Sequence, residues 1–292
     1  MSCSPAGDDA PKTHPGTLPI PSTMTASIPD AFETRRRELE DELGEPITVD
    51  GLTASLRIFQ RKKGHRHSTD DLLTGWYALE KSPLVGRTIA QHLDLGTGIG
   101  TVGLLVLSGM PPETHLTCIE AQDVSFRFLR ENLRANGLED RVTALHGDLR
   151  DLALAERFPL VTGSPPYFDV TAGIVPADSQ KAHARFELRG DVRDYARAAK
   201  KHLEPGGLFV FCFPWPQKKR AMDAAHDEGF TIVTHRDVIP REGLTPLFSL
   251  FACRLEDGEE IEEAPFVVRH ADGSHTEAMH AVRALFGWSP SR

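Results

Sequence analysis

The segment LDLGTGIG at residues 93–100 constrains the fold of this chain more than any other. An apolar stretch runs into a turn with three glycines, and the apolar segment TVGLLVLS of helical length follows directly. Glycine adopts backbone conformations that other residues avoid and has no side chain to block a ligand. A strand, a glycine turn and a helix therefore let the backbone approach a nucleotide-like molecule closely. Glu120 ends the next apolar stretch, where it can accept hydrogen bonds from both ribose hydroxyls. This pattern predicts a site for a cofactor that contains adenosine.

Apolar stretches alternate with amphipathic ones along the chain that follows. VSFRFLRENLRANG carries apolar residues at helical spacing, and RVTALHGD is predicted to be the next strand. A charged helix that stops at Gly206 and Gly207 precedes the strand LFVFCFP, and a helix and two more strands complete the pattern. Strands alternating with helices predict the α/β class: a doubly wound, mostly parallel sheet of seven strands, with the last strand reversed.

The spacing of the glycine turn narrows the choice of cofactor. The turn has the form G-x-G-x-G with Asp94 before it, whereas a dinucleotide site has G-x-G-x-x-G and points a helix N-terminus at a pyrophosphate. This pattern resembles motif I of the class I S-adenosylmethionine-dependent methyltransferases, whose cofactor lacks phosphate and carries a sulfonium and an ammonium group. An acid near the turn suits that charge. The resemblance implies S-adenosyl-L-methionine as cofactor, bound at the ends of the first three strands by Asp94, Gly96, Thr97, Gly98, Gly100, Glu120, Asp148 and Leu149.

A second motif, GSPPYF at residues 163–168, resembles motif IV of the amino-methyltransferases, [N/D/S]-P-P-[Y/F/W]. An exocyclic amino group on an aromatic ring is a weak nucleophile because its lone pair is delocalised. Two oxygen acceptors for its N–H groups favour a tetrahedral nitrogen, and the Ser164 hydroxyl and the Pro165 carbonyl can supply them. Pro166 stiffens the loop, and Tyr167 offers a face for stacking a planar group. Relatives that modify adenine or glutamine usually have Asn or Asp at the position of Ser164.

The flanking sequence extends the resemblance to a narrower family. RIFQRKKGHRHSTDDLLTGWYALE resembles the N-terminal signature of the bacterial adenine-N6 methyltransferases that modify valine transfer RNA next to the anticodon. Phe168 after motif IV, the segment KAHARFE and VVRHADGSHTEAMHAVRALF near the C-terminus extend the match to about residues 49–286. The resemblance implies adenine N6 of RNA as the methyl acceptor, a base flipped out of its stack, and a substrate contact at Phe168.

A basic cluster precedes the glycine turn. Arg57, Arg61, Lys62, Lys63 and Arg66 lie within ten residues that contain no acid. Clustered cations beside aromatic residues favour contacts with a phosphate backbone, and the last four are predicted to bind RNA, most simply tRNA. An ordinary solvated basic loop is the alternative interpretation.

The charge of the whole chain argues mildly against a nucleic-acid partner. Lys and Arg number 33 and Asp and Glu 42, which gives a net charge of −9. Much of the excess is local, because the acids between residues 256 and 263 form a run that is expected to lie on a loop away from substrate. Local patches govern electrostatic steering more than net charge does.

Two functions other than RNA methylation stay open at this point. A protein-glutamine N-methyltransferase would use the same motif IV and would need a larger protein-docking segment at its N-terminal side. A non-catalytic assembly or binding protein could keep the fold, although intact Gly96, Gly98, Glu120 and both prolines of motif IV count against it.

Composition predicts the domain organisation and the compartment. We expect a disordered arm over residues 1–30, a basic and helical segment over 31–85, the methyltransferase domain over 86–257, and an acidic loop with a helical tail over 258–292. The four cysteines lack metal-ligand spacing, which predicts no metal site and reduced thiols. No segment has the pattern of a signal peptide or a membrane span, so a cytoplasmic location is expected. The oligomeric state is left open.

Overall fold

The computed structural model describes residues 28–167, 180 and 190–289. The strands within these residues are β1 (Ile47–Gly51), β2 (Arg57–Arg61), β3 (Gln91–Leu95), β4 (His115–Glu120), β5 (Val142–His146), β6 (Phe158–Gly163), β7 (Leu203–Pro214), β8 (Thr231–Ile239), β9 (Phe248–Arg254) and β10 (Ile261–Val267). The helices are α1 (Ile28–Leu43), α2 (Thr69–Lys81), α3 (Thr101–Gly109), α4 (Asp123–Ala135), α5 (Val192–His202), α6 (Lys218–Asp227) and α7 (Glu277–Leu285). None of these helices is long and apolar enough to cross a bilayer.

Eight strands form one sheet in the order β10-β8-β9-β7-β6-β3-β4-β5. β9 is antiparallel to both β7 and β8, and the other neighbours are parallel. The predicted doubly wound, mostly parallel sheet with a reversed strand is therefore confirmed. The predicted number of seven strands is wrong by one, because β10 adds to the edge beside β8.

The extra strand contains part of the acidic run that was expected to lie on a loop. Glu263 belongs to β10 because cations and a hydroxyl from other elements meet its carboxylate. It accepts a hydrogen bond from Tyr77 at 3.0 Å, pairs with Arg236 at 3.2 Å, and forms an ion pair with Lys81. A half-buried acid with such partners is compatible with a strand. The division of the chain into domains stays a prediction.

The segment before the glycine turn contains the antiparallel hairpin β1–β2, which the sequence pattern did not predict. The backbone N–H of Phe59 in this hairpin donates to Asn132 of α4 at 2.7 Å, and Asn132 in turn donates to the carbonyl of Ile99. α2 packs against α3, with Leu73 and Tyr77 fully buried. These contacts attach the segment to the sheet beside the glycine turn.

The core lies on both faces of the sheet. Every residue of β6, FPLVTG, is buried, as expected for a central strand of a sheet covered on both sides. α2 and α3 cover one face, and α5 and α6 cover the other. With both faces covered, the strand ends are the places where a ligand can reach the sheet.

Candidate active site

The glycine turn and motif IV begin side by side at one edge of the sheet. β3 lies between β4 and β6, and its last residue, Leu95, is paired with Ile119 on one side and Gly163 on the other. Chain connections diverge to opposite sides at this point of the strand order, where open α/β sheets bind ligands. Sheet register alone therefore brings the two predicted motifs together.

Two glycines of the turn have conformations that favour glycine, and one of them also lacks space for a side chain. Gly96 has φ 59° and Gly98 has φ 61°, in the left-handed region that other residues rarely adopt. A Cβ at Gly96 would lie 1.9 Å from the hydroxyl oxygen of Tyr195, whereas a Cβ at Gly98 would meet nothing. Gly100, the third predicted glycine, caps the start of α3. The turn therefore needs its first glycine for space as well as for conformation.

Asp94, predicted to bind cofactor, is engaged within the chain. It is 1% exposed and accepts hydrogen bonds from Thr97 at 2.5 Å, from Thr162 at 2.6 Å and from the Gly103 backbone at 3.0 Å. Burial raises the pKa of its carboxyl group. Asp94 and Thr97 both line the cavity described below. The hydrogen bonds that Asp94 accepts within the chain stabilise the glycine turn.

Glu120 lies where a ribose-binding acid was predicted. It ends β4 and is 9% exposed. One of its oxygens accepts from the Gly98 N–H at 2.8 Å and the other from the Gln122 N–H at 2.7 Å. Each carboxylate oxygen has two lone pairs and can accept more than one hydrogen bond. The same contacts hold the carboxylate against the glycine turn.

Asp148 and Leu149, the predicted neighbours of the adenine, follow β5. They line a recess of about 390 Å³ together with Gly96, Glu120 and Tyr195. The Asp148 carboxylate accepts two hydrogen bonds from the Arg150 side chain, at 2.9 and 2.7 Å. The structure thus brings the ends of β3, β4 and β5 to one site, as the sequence pattern predicted.

Ser164 and Pro166 of motif IV line the main cavity, and Pro165 between them is buried. The Ser164 hydroxyl oxygen lies 3.5 Å from the sulfur of Cys212 in β7. Burial raises the pKa of that thiol to about 12, so Cys212 is neutral at physiological pH. A neutral thiol leaves the serine oxygen able to accept a hydrogen bond from another group.

Tyr167 differs from the expected stacking face. Its hydroxyl donates to Asp70 of α2 at 2.5 Å and lies 3.3 Å from the Cys212 sulfur, and its ring packs edge-on against Phe213. It is not among the residues that line the cavity. Burial raises the pKa of its hydroxyl well above the usual value, so it stays a donor. In this conformation Tyr167 anchors motif IV to α2, because its polar end finds partners there.

The cavity between the two motifs has about 690 Å³ of space free of protein atoms, part of which is open to solvent. Asp71, Asp94 and Glu120 supply carboxyl groups to its wall, and the described lining includes no Lys or Arg. Burial raises the pKa of Asp71 and lowers that of His67, which also lines the cavity. A bound cation would favour the ionised carboxylates, whereas a phosphate would oppose them. The cavity therefore suits the positively charged methionine end of S-adenosylmethionine.

Sequence reasoning missed several residues of the cavity wall, among them Tyr195, Asp71 and Gln180. Tyr195 comes from α5, and Asp71 from the first turn of α2, next to the acid that Tyr167 contacts. Gln180 is buried and donates to Ser125 at 3.3 Å. Nothing in their local sequence distinguishes them from core or surface residues. The adjacent acids of STDDLL were the one available signal.

The basic cluster separates into paired and unpaired cations. Arg61 pairs with Glu45 at 2.6 Å, and Arg66 pairs with Asp50 at 3.0 Å. Lys62 and Lys63 are exposed and form no ion pair with the residues that the structure describes. Contact with RNA stays a prediction for these two arginines and two lysines. The lysines are the better candidates, because no described acid neutralises their charge. Phe168 and the segment KAHARFE lie outside the described residues.

One group of side chains at the other end of the sheet has ligand-like spacing for a metal, formed by His235, Asp237 and Glu262. Lys218 already occupies its centre, with its ammonium nitrogen 2.9 Å from an oxygen of each carboxylate. The group is an ion-paired cluster around a lysine.

Comparison with known proteins agrees with this geometry. Residues 79–214 match the family model described as the methyltransferase small domain. The chain is similar to proteins named tRNA1(Val) (adenine(37)-N6)-methyltransferase. It is 24% identical to that of Actinobacillus pleuropneumoniae over 67% of this chain and 81% of the relative, and 27% identical to that of Aeromonas hydrophila over 72% and 84%. A solved structure of a predicted O-methyltransferase from Agrobacterium tumefaciens is similar in fold, with a TM-score of 0.56 and 19% identity over 74% of this chain and 98% of that one.

Proposed function

We propose that this chain is an S-adenosylmethionine-dependent methyltransferase that methylates N6 of adenine in transfer RNA. The match of residues 79–214 to the family model of the methyltransferase small domain supports the reaction class. The observation that carries the proposal is the register of Leu95 with Gly163, which joins the cofactor turn and motif IV at one cavity. The names of the most similar relatives support an adenine in tRNA as the acceptor.

The cofactor is assigned to the ends of β3, β4 and β5. Glu120 would accept from the ribose hydroxyls, and Asp148 and Leu149 would lie beside the adenine. The acid-lined cavity would hold the charged methionine end. When bound, S-adenosylmethionine supplies an electrophilic methyl group on its sulfonium.

The residues of motif IV would position the acceptor nitrogen. Ser164 Oγ and the Pro165 carbonyl would accept hydrogen bonds from the two N–H groups of the adenine, which directs the nitrogen lone pair toward the methyl group. Positioning supplies most of the rate in such a transfer. No strong general base is needed, because the nitrogen releases a proton easily once it has become cationic. The adenine would enter the cavity by base flipping, since a stacked base cannot reach it.

The test is transfer of a labelled methyl group to tRNA, followed by digestion and mass spectrometry of the nucleosides. We expect label in N6-methyladenosine with the wild-type chain and a large loss of single-turnover rate with Ser164→Ala. Ser164→Asn restores the acceptor usual among adenine-modifying relatives and should retain more activity than Ser164→Ala. Label in protein glutamine, or in another nucleoside, would overturn the proposed substrate while leaving the methyltransferase activity intact. A cytoplasmic location belongs to the same proposal.

A further inference from the structure

A second concave surface lies next to the active site and has no role in the chemistry described so far. This tail groove is open to solvent and lies between the end of β1, the start of α2 and the chain after β10. Leu72 of α2 and Leu105 of α3 contribute apolar side chains to its wall. The opposite wall is formed by Arg269, His275, Met279, Arg283 and Trp288.

The charge of the tail groove is opposite to that of the active-site cavity. Two arginines line it, and its described lining contains no Asp or Glu. Arg269 donates to the carbonyl of Gly273 at 2.7 Å, and the Arg283 guanidinium lies 5.8 Å from the ring centre of Trp288. Neither forms an ion pair with the residues that the structure describes. Burial lowers the pKa of His275, and the positive charges of Arg269 and Arg283 lower it further, so the site is electropositive.

The two arginines of the groove differ from Arg35, Arg87 and Arg193, which have acidic partners. Leaving two arginines without acids beside an apolar wall favours an anionic ligand with a planar apolar part. A nucleotide combines both features.

The tail groove is continuous with the active site. His67 lines both the cavity and the groove, and Ser68 and Thr69, the next residues along the chain, line the groove. The groove also carries an aromatic ring. Trp288 packs over Gly51, where a Cβ would lie 2.5 Å from the ring. A chain of nucleotides that delivers one base to the cavity would pass over this surface.

We infer that the tail groove binds the nucleotides that flank the target base, with Arg269 and Arg283 on backbone phosphates and Trp288 beside a base. This inference rests on the proposed action on RNA. It assigns the C-terminal tail to substrate positioning and leaves the reaction to motif IV.

The test compares two ligands with the double variant Arg269→Gln/Arg283→Gln. One is an anticodon stem-loop that contains the target adenine, and the other is adenosine monophosphate, which has no flanking nucleotide. For the stem-loop we expect binding at least about tenfold weaker, since each lost charged hydrogen bond is worth that much. The slope of log affinity against log salt should become shallower by about 1.4, for two phosphates of a single strand. Adenosine monophosphate binding and S-adenosylmethionine affinity should stay the same.

Arg157→Gln is the matched control, because this exposed arginine directly precedes β6 and so lies at the opposite edge of the sheet from Ser164. It should leave RNA binding unchanged. Arg269→Gln alone keeps the test usable if the loss of the contact between Arg283 and Trp288 impairs folding.

The outcomes separate the inference from the proposed function. If the wild-type chain methylates tRNA and the folded double variant binds the stem-loop with unchanged affinity and salt slope, the groove assignment is wrong and the function stands. Equal weakening for the stem-loop and adenosine monophosphate would place the arginines on the target nucleotide, which also overturns the assignment. A wild-type chain that neither binds nor methylates RNA would overturn both.

Discussion

The two halves of the active-site edge are held in different ways. The cofactor half consists of the turn at residues 96–100 with Asp94 and Glu120, and it is held by glycine conformations and by hydrogen bonds to backbone N–H groups. The substrate half consists of Ser164 to Tyr167 of motif IV, and it is held by side chains of distant elements, Asp70 of α2 and Cys212 of β7.

This difference predicts which property a substitution in each half will change. In the cofactor half, carboxylates accept hydrogen bonds from a backbone whose left-handed conformation glycine permits. Substitutions there should therefore act through backbone strain and lost cofactor contacts. In the substrate half the position of the loop depends on a few long-range contacts, so substitutions should act on turnover and couple to one another.

Gly96→Ala is expected to have the largest effect. The left-handed conformation costs about 1–2 kcal/mol, and the overlap with Tyr195 adds about 1–3 kcal/mol of overpacking to the loss of unfolding free energy. Gly98→Ala is the matched control, since it has nearly the same φ and no neighbour, and it should cost only the strain. Urea unfolding measures both. Equal losses would show that space beside Tyr195 does not matter, and Tyr195→Phe should recover part of the Gly96→Ala loss.

Glu120→Ala should weaken S-adenosylmethionine binding by about 1.5–3 kcal/mol, the scale of hydrogen bonds to a charged group. Calorimetric titration measures the change. Because Glu120 also accepts from Gly98 and Gln122, a smaller loss of unfolding free energy should accompany it. Unchanged cofactor affinity in a folded variant would show that the ribose acid is misplaced. RNA affinity measured without cofactor serves as the control and should not move.

The buried hydrogen-bond network behind the glycine turn predicts that the folded chain loses stability as the pH falls. Thr162 donates to Asp94, so its oxygen accepts from His92, whose pKa burial lowers to about 3. Between that value and the unfolded pKa of about 6.5, the unfolded chain binds a proton that the folded chain does not. Stability is therefore complete above this window and decreases as the pH falls through it, by about 2 kcal/mol between pH 7 and 5. His92→Gln should remove that share of the pH dependence of unfolding. An unaltered pH profile would contradict the assignment.

Tyr167→Phe should have the smallest effect, about 1 kcal/mol in turnover, because it removes one hydrogen bond to Asp70 and keeps the ring. Cofactor affinity should stay the same. In a double-mutant cycle with Asp70→Ala, the two changes should be strongly non-additive in kcat. Tyr77→Phe removes a buried hydroxyl that donates to Glu263, two turns along α2 from Asp70. It should cost stability, and its effect should be additive with that of Asp70→Ala. Additive effects of Tyr167→Phe and Asp70→Ala would mean that Tyr167 does not anchor the loop.

The local patterns of the chain determined the fold class and the cofactor half. Alternating strands and helices, three glycines after an apolar stretch and acids at strand ends have short-range causes, so they can be recognised in a single sequence. Sheet register then brings these strand ends together without further information. The eighth strand escaped prediction because its acids are compatible with a strand only when Lys81 and Arg236 are beside them.

Only the tertiary structure decided how the substrate half is arranged. Asp70, Asp71 and Tyr195 reach the site from helices far apart in the chain, and apart from the adjacency of the two acids no local pattern distinguishes them. Tyr167 carries the residue type expected of a stacking face, yet its direction depends on partners that α2 and β7 supply. The tail groove likewise exists only where α2 and the C-terminal tail meet. A residue type limits the chemistry that is possible, whereas its partners, set by long-range packing, determine which chemistry is available.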